Sequence, residues 1–251
     1  EGGGLSYADI EDAGGVVLRA GQDGSGTVTS ATAGLVNDTF SYMTNFFGSQ
    51  GSDVFAGSDN RRENGNWEGW NGLSGDDTID DGGGFDELKY NTDRWWANTL
   101  GAVTVNFATG KATDGFGDED TFSNIEAVRG THLGDTFIGS DDQSYIRYRG
   151  LAGDDTVTGT AGTYDILDHR RDRNERDADE NYSGDNGIIA NFAEGTVIDG
   201  FGDTDSVSFI DEIRGTIFGD HITAGDEGLV MDGYIGDDTL IGGAGDDDFY
   251  V

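Results

Sequence analysis

The feature that most constrains this chain is a nine-residue repeat that occurs twice in succession near the end of the sequence. Between Gly233 and Tyr250 the chain reads GYIGDDTLI and then GGAGDDDFY, with glycine at positions 1 and 4, aspartate at 6 and an apolar residue at 8. Glycines permit turns with positive φ, and the residues after the aspartate suit a short strand with one inward side chain. One unit alone buries too little apolar area to be stable, and its carboxylates repel one another. The pattern therefore predicts stacked turns completed by a divalent cation, calcium.

The same nine-residue frame recurs upstream, at 48–56, 72–80, 81–89, 130–138, 150–158 and 215–223. We expect calcium ligands at position 6 of all eight units: Asp53, Asp77, Asp86, Asp135, Asp155, Asp220, Asp238 and Asp247. Shared in pairs, these aspartates predict about four ions. A further unit, Gly159 to Leu167, has Tyr164 at position 6 and Asp165 one place late, so we expect a weak or missing ion there.

A longer repeat contains the short one. The segment from Val105 to Asp142 aligns with the segment from Ala190 to Glu227 at an offset of 85 residues, and a fainter copy precedes both. Self-similarity of this kind is typical of solenoids. We predict an all-β chain that forms one continuous solenoid of three divergent units, 1–89, 90–167 and 168–251, with a charged loop at 168–186.

The nine-residue period also predicts which units stack. If two nonapeptides make one turn, each unit lies over the one two places back, with strands about 4.8 Å apart. Asp220 would then lie near Asp238, and Asp247 would lie over Leu229. Apolar residues at the strand centres predict one inward row of a sheet: Phe55, Ile79, Phe137, Val157, Ile222 and Leu240.

Composition supports a cation-dependent fold and excludes several classes. A net charge of −36 on 251 residues opposes any compact state through self-repulsion, and it argues against nucleic acid as a partner. The chain has no cysteine, so neither disulfides nor thiolate metal sites can brace it. A run of 18 or more apolar residues is also missing, which argues against membrane insertion.

The nonapeptides, together with the GFGDxD stretches between them, resemble the RTX repeats of secreted bacterial toxins, proteases, epimerases and adhesins. The resemblance runs from about Gly48 to the last residue. It implies a right-handed parallel β-roll with calcium between stacked turns, export by type I secretion, and folding on meeting extracellular calcium. The chain departs from the simplest form of the family in its few tandem nonapeptides and long intervening segments. Both ends read like the interior of repeats, so we expect a segment of a longer protein.

A second group of carboxylates lies in the GFGDxD stretches. Asp118 and Asp120 in one stretch recur as Asp203 and Asp205 in the other. Short acidic loops around glycine resemble the oxygen-rich ligand sets of calcium sites. An additional ion and a polar turn without an ion are both open at this point.

Aromatic residues give the other indication of a partner, because exposed tryptophans among polar residues can stack on sugar rings. The alternative is that they cap a thin core. The candidates for glycan contact are Trp67, Trp70, Trp95 and Trp96. The three histidines have no metal-binding spacing, and we find no catalytic constellation, so we do not expect an enzyme.

The sequence thus indicates a secreted or cell-surface calcium-binding module with a structural and interaction role. One alternative is an accessory module of an exported hydrolase or epimerase whose catalytic domain lies elsewhere. Another is a carbohydrate-binding module that uses the tryptophans. Self-association is a further expectation, because the open ends of a solenoid are unpaired strand edges that neighbouring copies can extend.

Overall fold

The computed structural model describes residues 3–9, 14–21, 25–30, 36–41, 43–58, 67–93, 101–172 and 186–251. Within these residues the chain is nearly all β, as the sequence predicts, with 25 short strands. In this part of the chain, no helix is long and apolar enough to cross a membrane. The chain divides into two compact units. The first is Glu1–Val105 with Thr109–Val128, and the second is Asn106–Ala108 with Arg129–Val251.

The strands are short, as expected where only one apolar residue per nonapeptide points inward. Thirteen strands lie between residues 3 and 129 of the described chain: β1 (Gly3–Ser6), β2 (Val16–Ala20), β3 (Ser25–Ser30), β4 (Asn37–Ser41), β5 (Met43–Phe47), β6 (Val54–Ala56), β7 (Gly69–Asn71), β8 (Thr78–Asp80), β9 (Glu87–Lys89), β10 (Thr104–Asn106), β11 (Lys111–Thr113), β12 (Glu119–Ser123) and β13 (Ala127–Arg129). Twelve follow, again among the described residues: β14 (Thr136–Ile138), β15 (Tyr145–Arg149), β16 (Thr156–Thr158), β17 (Tyr164–Asp168), β18 (Ile189–Asn191), β19 (Thr196–Ile198), β20 (Thr204–Ser208), β21 (Glu212–Arg214), β22 (His221–Thr223), β23 (Val230–Asp232), β24 (Thr239–Ile241) and β25 (Asp248–Tyr250).

In the first unit, strands pair in parallel within two sheets. One sheet runs in the order β1, β5, β7, β9, and the other contains the parallel run β12, β8, β6, β2. Antiparallel pairs are added at β2–β3–β4 and at β11–β12. Strands that follow one another in the chain therefore alternate between sheets over much of this unit.

In the second unit, β15, β17, β21, β23 and β25 form one parallel run. The other sheet holds the parallel pairs β14–β16, β16–β20, β18–β22 and β22–β24, with β19 antiparallel between β18 and β20. The last five strands alternate between the two sheets. His221 pairs with Thr239 and Val230 with Asp248, so each strand lies beside the one 18 residues later. For these last nonapeptides, this confirms the expectation that each unit lies beside the one two places along the chain.

Six of the short strands carry an apolar side chain at their centre that belongs to the core. Phe55, Ile79, Phe137, Val157 and Ile222 are fully buried, and Leu240 is half-buried. Parallel pairing stacks these residues on one another, since Phe55 pairs with Ile79, Phe137 with Val157, and Ile222 with Leu240. The predicted inward row is therefore confirmed.

Trp70 is the largest side chain of the first unit's core. It is 0% exposed, and its ring stacks on Phe46 with centroids 4.5 Å apart and lies 5.2 Å from Phe55. A fully buried indole offers no face to a sugar, so the prediction of glycan contact is wrong for Trp70. Trp67 is half-buried beside Lys89, whose ammonium lies 5.2 Å from the ring centroid. Trp95 and Trp96 lie outside the described residues.

Candidate metal-binding carboxylates

Three of the position-6 aspartates, Asp53, Asp135 and Asp220, close the turn of their own nonapeptide. Asp135 Oδ2 accepts the backbone N–H of Thr131 at 2.6 Å, and Asp220 Oδ2 accepts that of Thr216 at 2.8 Å. The hydroxyls of these threonines donate to the Oδ1 atoms at 3.0 and 2.9 Å. Asp53 does the same with the amide and hydroxyl of Ser49. Each aspartate thus acts as the cap of a tight turn.

The same carboxylates also join neighbouring coils. In the first unit, the N–H of Asp53 donates to Asp77 Oδ1 at 2.7 Å, and the N–H of Asp77 donates to Asp120 Oδ1 at 3.0 Å. In the second unit, the N–H of Asp135 donates to Asp155 Oδ1 at 2.7 Å, and that of Asp155 to Asp205 Oδ1 at 3.0 Å. We call these two runs the aspartate ladders. They place successive carboxylates one strand apart.

The stacking predicted for the last nonapeptides is confirmed. The N–H of Asp220 donates to Asp238 Oδ1 at 2.9 Å, and the N–H of Leu229 donates to Asp247 Oδ1 at 3.1 Å. Asp220 is buried, whereas Asp238 and Asp247 are half-buried. The repeat therefore places Asp238 and Asp247 beside the position-6 residues of the nonapeptides 18 residues earlier.

Glycine at position 1 has a steric cause. A Cβ added to Gly72 or Gly150 would lie 1.8 Å from the Oδ2 of the aspartate in the same nonapeptide, and one added to Gly130 would lie 2.2 Å from it. None of these three glycines has a positive φ. The expectation that glycines at both positions supply positive φ is therefore wrong for position 1, which leaves room for the carboxylate instead.

Positive φ occurs at positions 2 and 4 of the turns. Gly75 and Gly153, at position 4, have φ of 113° and 107°. At position 2, Leu73 and Leu151 have φ of 69° and 76°, in the left-handed region that non-glycine residues rarely adopt. Both leucines are almost fully buried, so burial of their side chains offsets the backbone strain.

The electrostatics of the ladders oppose ionisation. Burial raises the pKa of Asp77 to about 10, and the charges of Asp120 and Asp53 add to the rise. Burial likewise raises the pKa of Asp120 to about 8 and of Asp205 to about 8. The pKa of Asp155 is raised by burial and by the charge of Asp205. Charged carboxylates here need a counter-charge, either protons or cations.

Three position-6 aspartates have a carboxylate oxygen to which no described residue donates. Among the described residues, Oδ2 of Asp77, Oδ2 of Asp86 and Oδ2 of Asp155 are buried and accept no hydrogen bond. Carboxylate oxygens are the hard ligands that calcium prefers. The donor set thus fits calcium chemically, and these three oxygens are the ones an ion would take first.

The GFGDxD stretches form capped turns. Asp114 Oδ1 accepts the N–H groups of Phe116, Gly117 and Asp118, and Asp199 repeats this pattern in the second stretch. Asp118 Oδ2 accepts the N–H of Gly75 at 2.8 Å.

The corresponding Asp203 accepts the N–H of Gly153 at 2.8 Å. Asp120 and Asp205 end the two ladders, as described above. The four carboxylates that the sequence singled out in these stretches therefore each hold a backbone amide of another strand or turn.

The irregular unit from Gly159 uses its late aspartate. Asp165 Oδ2 accepts the N–H of Thr160 at 2.7 Å, and Oδ1 accepts the Tyr148 hydroxyl at 2.7 Å. The N–H of Asp165 donates to Asp211 Oδ2 at 2.8 Å. Asp165 thus takes the capping and stacking role of position 6 despite its shift by one residue.

Sequence reasoning missed two acidic residues beside Asp86. Carboxylate oxygens of Glu68, Asp81 and Asp86 all lie within 4.8 Å of one another, and all three residues are buried. At 4.8 Å and an effective dielectric constant of about 20, two like charges repel by about 3.5 kcal/mol. One feature of the sequence could have indicated this cluster: Asp81 occupies position 1 of its nonapeptide, where the other units have glycine. Glu68 lies outside the repeat and has no such signal.

The second unit contains a cationic cluster where the predicted charged loop at 168–186 begins. Asp168 is buried and accepts hydrogen bonds from Arg149 at 2.8 Å and from Arg170 at 3.0 Å. These guanidinium groups hold the pKa of Asp168 well below its usual range despite burial. Next to it, His169 Nδ1 lies 2.9 Å from Asp172 Oδ2, and the charge of Asp172 raises the pKa of His169 to about 9 against the effect of burial. Much of the predicted loop at 168–186 lies outside the described residues.

Comparison with known proteins adds no family. No protein-family model matches this chain, and no curated protein is significantly similar to it. The functional argument therefore depends on the carboxylates and the register described above.

Proposed function

We propose that the chain is a calcium-binding structural and interaction module of a secreted or cell-surface protein. In this proposal it forms a right-handed parallel β-roll of the RTX kind, with calcium between stacked turns. The observation that carries the proposal is the stacking of position-6 carboxylates in neighbouring coils, as between Asp220 and Asp238.

The ligands we propose are the eight position-6 aspartates. Those best suited are Asp77, Asp86 and Asp155, because each has a buried oxygen to which no described residue donates. The backbone amides that cap the turns hold the carboxylates in place before an ion binds. A bound cation would replace the protons that raised pKa values otherwise favour.

Magnitudes support a role for calcium in folding. Extracellular sites bind calcium with dissociation constants of about 10⁻⁴ M, so about 10 mM calcium stabilises the folded state by roughly 2.7 kcal/mol per site. About four ions would together contribute roughly 11 kcal/mol. The whole free energy of unfolding of an ordinary domain is about 5 to 15 kcal/mol, so the calcium contribution is of the same size. We therefore propose that the chain is only marginally stable at low intracellular calcium, passes through a type I secretion channel, and folds stably outside the cell.

The experiment is circular dichroism of the full chain during a calcium titration, with magnesium as the control ion. We expect calcium to increase the β signal and the melting temperature, and EGTA to reverse both. Asp220→Asn should shift the titration to higher calcium, whereas Asp226→Asn, at an exposed position, should not. A spectrum and melting temperature unchanged by EGTA would refute the proposal.

A second candidate function is carbohydrate binding, and one feature of the second unit favours it. A cavity of about 470 Å³ is lined by Tyr164 and Tyr250 together with Glu212, Asp232 and Asp248. Tyr164 is 39% exposed and Tyr250 58% exposed. Exposed tyrosine rings can stack on sugars while carboxylates accept hydrogen bonds from hydroxyls. Binding to a glycan array would support this function if Tyr164→Ala and Tyr250→Ala abolish the binding without unfolding the chain. An array without signal would refute it.

A further inference from the structure

Three acidic side chains of the first unit converge in its interior. Glu68 lies immediately before β7, Asp81 immediately after β8, and Asp86 immediately before β9. One carboxylate oxygen of each lies within 4.8 Å of the other two, and the residues are 6%, 0% and 1% exposed. The three strands therefore place like charges together where water does not reach them.

Three oxygens of Asp81 and Asp86 have no hydrogen-bond donor among the described residues. Both oxygens of Asp81 and Oδ2 of Asp86 are buried and accept no hydrogen bond from the described residues. Asp86 Oδ1 accepts the N–H of Glu68 at 2.8 Å, which fixes the carboxylate in place. The N–H of Asp86 donates to Glu126 Oε2 at 3.0 Å, so a fourth acidic group lies close by. A buried carboxylate without donors is unfavourable unless a cation compensates it.

The nonapeptide frame shows that Asp81 is exceptional. In the other seven units, position 1 is glycine, and an added Cβ would lie between 1.8 and 2.8 Å from the nearest carboxylate oxygen of the position-6 aspartate. Only the unit 81–89 has a side chain there, and that side chain is itself a carboxylate beside Asp86. At position 1 of this unit, the acidic side chain of Asp81 therefore lies close to Asp86, where the other units leave no room for a side chain.

We propose that Glu68, Asp81 and Asp86 bind one calcium ion at a site separate from the aspartate ladders. Calcium takes oxygen ligands at about 2.4 Å, so ligands on opposite sides of the ion are about 4.8 Å apart, and three oxygens that lie within 4.8 Å of one another can reach a single ion. Calcium also accepts a cage made of protein oxygens, whereas magnesium prefers to keep its waters. The inference rests on the proposed function for the identity of the cation, but its ligands include two residues outside that proposal.

Two glycines make room for these carboxylates. A Cβ on Gly57 would lie 1.8 Å from Asp81 Oδ1, and one on Gly84 would lie 2.5 Å from Asp86 Oδ2. The space beside both ligands is therefore kept free of protein side chains on those sides. Gly84→Ala provides a variant that leaves all three acids in place but crowds the site.

The experiment counts ions on the full chain. Calcium-free protein is dialysed to equilibrium against ⁴⁵Ca²⁺, and terbium luminescence excited through tryptophan is measured in parallel, because Trp67 directly precedes Glu68. The variants are Asp81→Asn, Glu68→Gln and Gly84→Ala. The matched control is Asp80→Asn, which changes the exposed neighbour of Asp81.

We expect Asp81→Asn to bind one calcium ion fewer than the wild type and to weaken the terbium titration at least tenfold, with Glu68→Gln and Gly84→Ala changing it in the same direction. Without calcium, Asp81→Asn should melt higher than the wild type, because a buried carboxyl must either take up a proton or repel its acidic neighbours, and an amide does neither. If Asp81 had only a structural role, Asp81→Asn would instead melt at a lower temperature than the wild type.

Equal ion counts and equal affinities in wild type and Asp81→Asn would overturn this site while leaving the ladder ions intact. If the wild type binds only one ion and Asp81→Asn binds none, the site at Glu68, Asp81 and Asp86 is supported, and the ladder ions of the proposed function are refuted. A wild type that binds no calcium overturns both.

Discussion

Calcium-free protein should lose stability as the pH rises from 5 to 7.5, which is the reverse of ordinary acid denaturation. Burial raises the pKa of Asp77 to about 10 and that of Asp120 to about 8, from an ordinary value of 3.8. Between the unfolded and folded pKa values, the folded state binds more protons than the unfolded state. Raising the pH through this window therefore lowers the free energy of unfolding. The stability that these carboxyl groups contribute is fully present only below their unfolded pKa, about 3.8.

Asp120 sets the size of the effect. It is 1% exposed, so solvent screens its charge very little. From pH 5 to 7.5 its carboxyl stays mostly protonated in the folded state and ionised in the unfolded state, which corresponds to roughly 3 kcal/mol at about 1.4 kcal/mol per pH unit. For a chain of this size that is a fall of about 6 to 12 °C in melting temperature. Asp77 acts in the same direction but is coupled to Asp120, so the two effects do not simply add.

The assay is thermal unfolding by circular dichroism in calcium-free buffers at pH 5.0, 6.0, 7.0 and 7.5. General repulsion in a chain of net charge −36 also grows with pH, so the informative quantity is the difference between variants. Asp120→Asn should flatten the pH slope, and Asp80→Asn, at an exposed position, should leave it unchanged. Saturating calcium should reverse the slope, because protons compete with the cation. A calcium-free melting temperature that rises with pH, or equal slopes for wild type and Asp120→Asn, would refute the reasoning.

Three further predictions concern stability measured by urea unfolding in saturating calcium. Trp70→Ala should lower the free energy of unfolding by about 3 to 5 kcal/mol, because it empties the centre of a buried aromatic stack. Gly150→Ala should be strongly destabilising, because its Cβ would lie 1.8 Å from a carboxylate oxygen of the same nonapeptide, whereas Gly101→Ala, with the nearest atom at 3.6 Å, should change stability by less than about 0.5 kcal/mol. Asp168→Asn should cost about 3 to 5 kcal/mol, because it replaces the buried carboxylate that accepts a hydrogen bond from the buried guanidinium of Arg149 at 2.8 Å.

Each of these predictions has an outcome that contradicts it. A Trp70→Ala loss below about 1 kcal/mol would mean that the indole is not packed as described. Equal stabilities for Gly150→Ala and Gly101→Ala would remove the steric explanation of position 1. A neutral Asp168→Asn would mean that other acids neutralise the arginines.

The register and the inward row of the core could be predicted because both follow from one number, the nine-residue period. Two nonapeptides per turn place His221 beside Thr239 and Asp220 beside Asp238, and no long-range knowledge is needed. The cause of the position-1 glycines could not be predicted in the same way. Their constraint is a contact between a backbone atom and a carboxylate five residues later, which a one-dimensional pattern of turn residues does not distinguish from a requirement for positive φ.

Segments without the repeat were the least predictable. Trp70 lies in an insertion between nonapeptides, so no period assigned it to the core. Asp120 and Asp205 extend the ladders from a different motif, through strands β12 and β20, and an alignment of nonapeptides does not contain them. Glu68 joins Asp81 and Asp86 only because β7 lies beside β9. These pairings are set by tertiary contacts, which local spacing does not encode.

The direction of the hydrogen bonds in the ladders makes the two ends of the chain unequal under truncation. In both ladders, and in the separate pair Asp220 and Asp238, the acceptor carboxylate comes later in the sequence than the amide that donates to it. Deleting coils from the C-terminal side strips acceptors from amides that stay inside, whereas deleting them from the N-terminal side leaves carboxylates that water can solvate. A nested series of deletions should therefore tolerate shortening from the front further than shortening from the back.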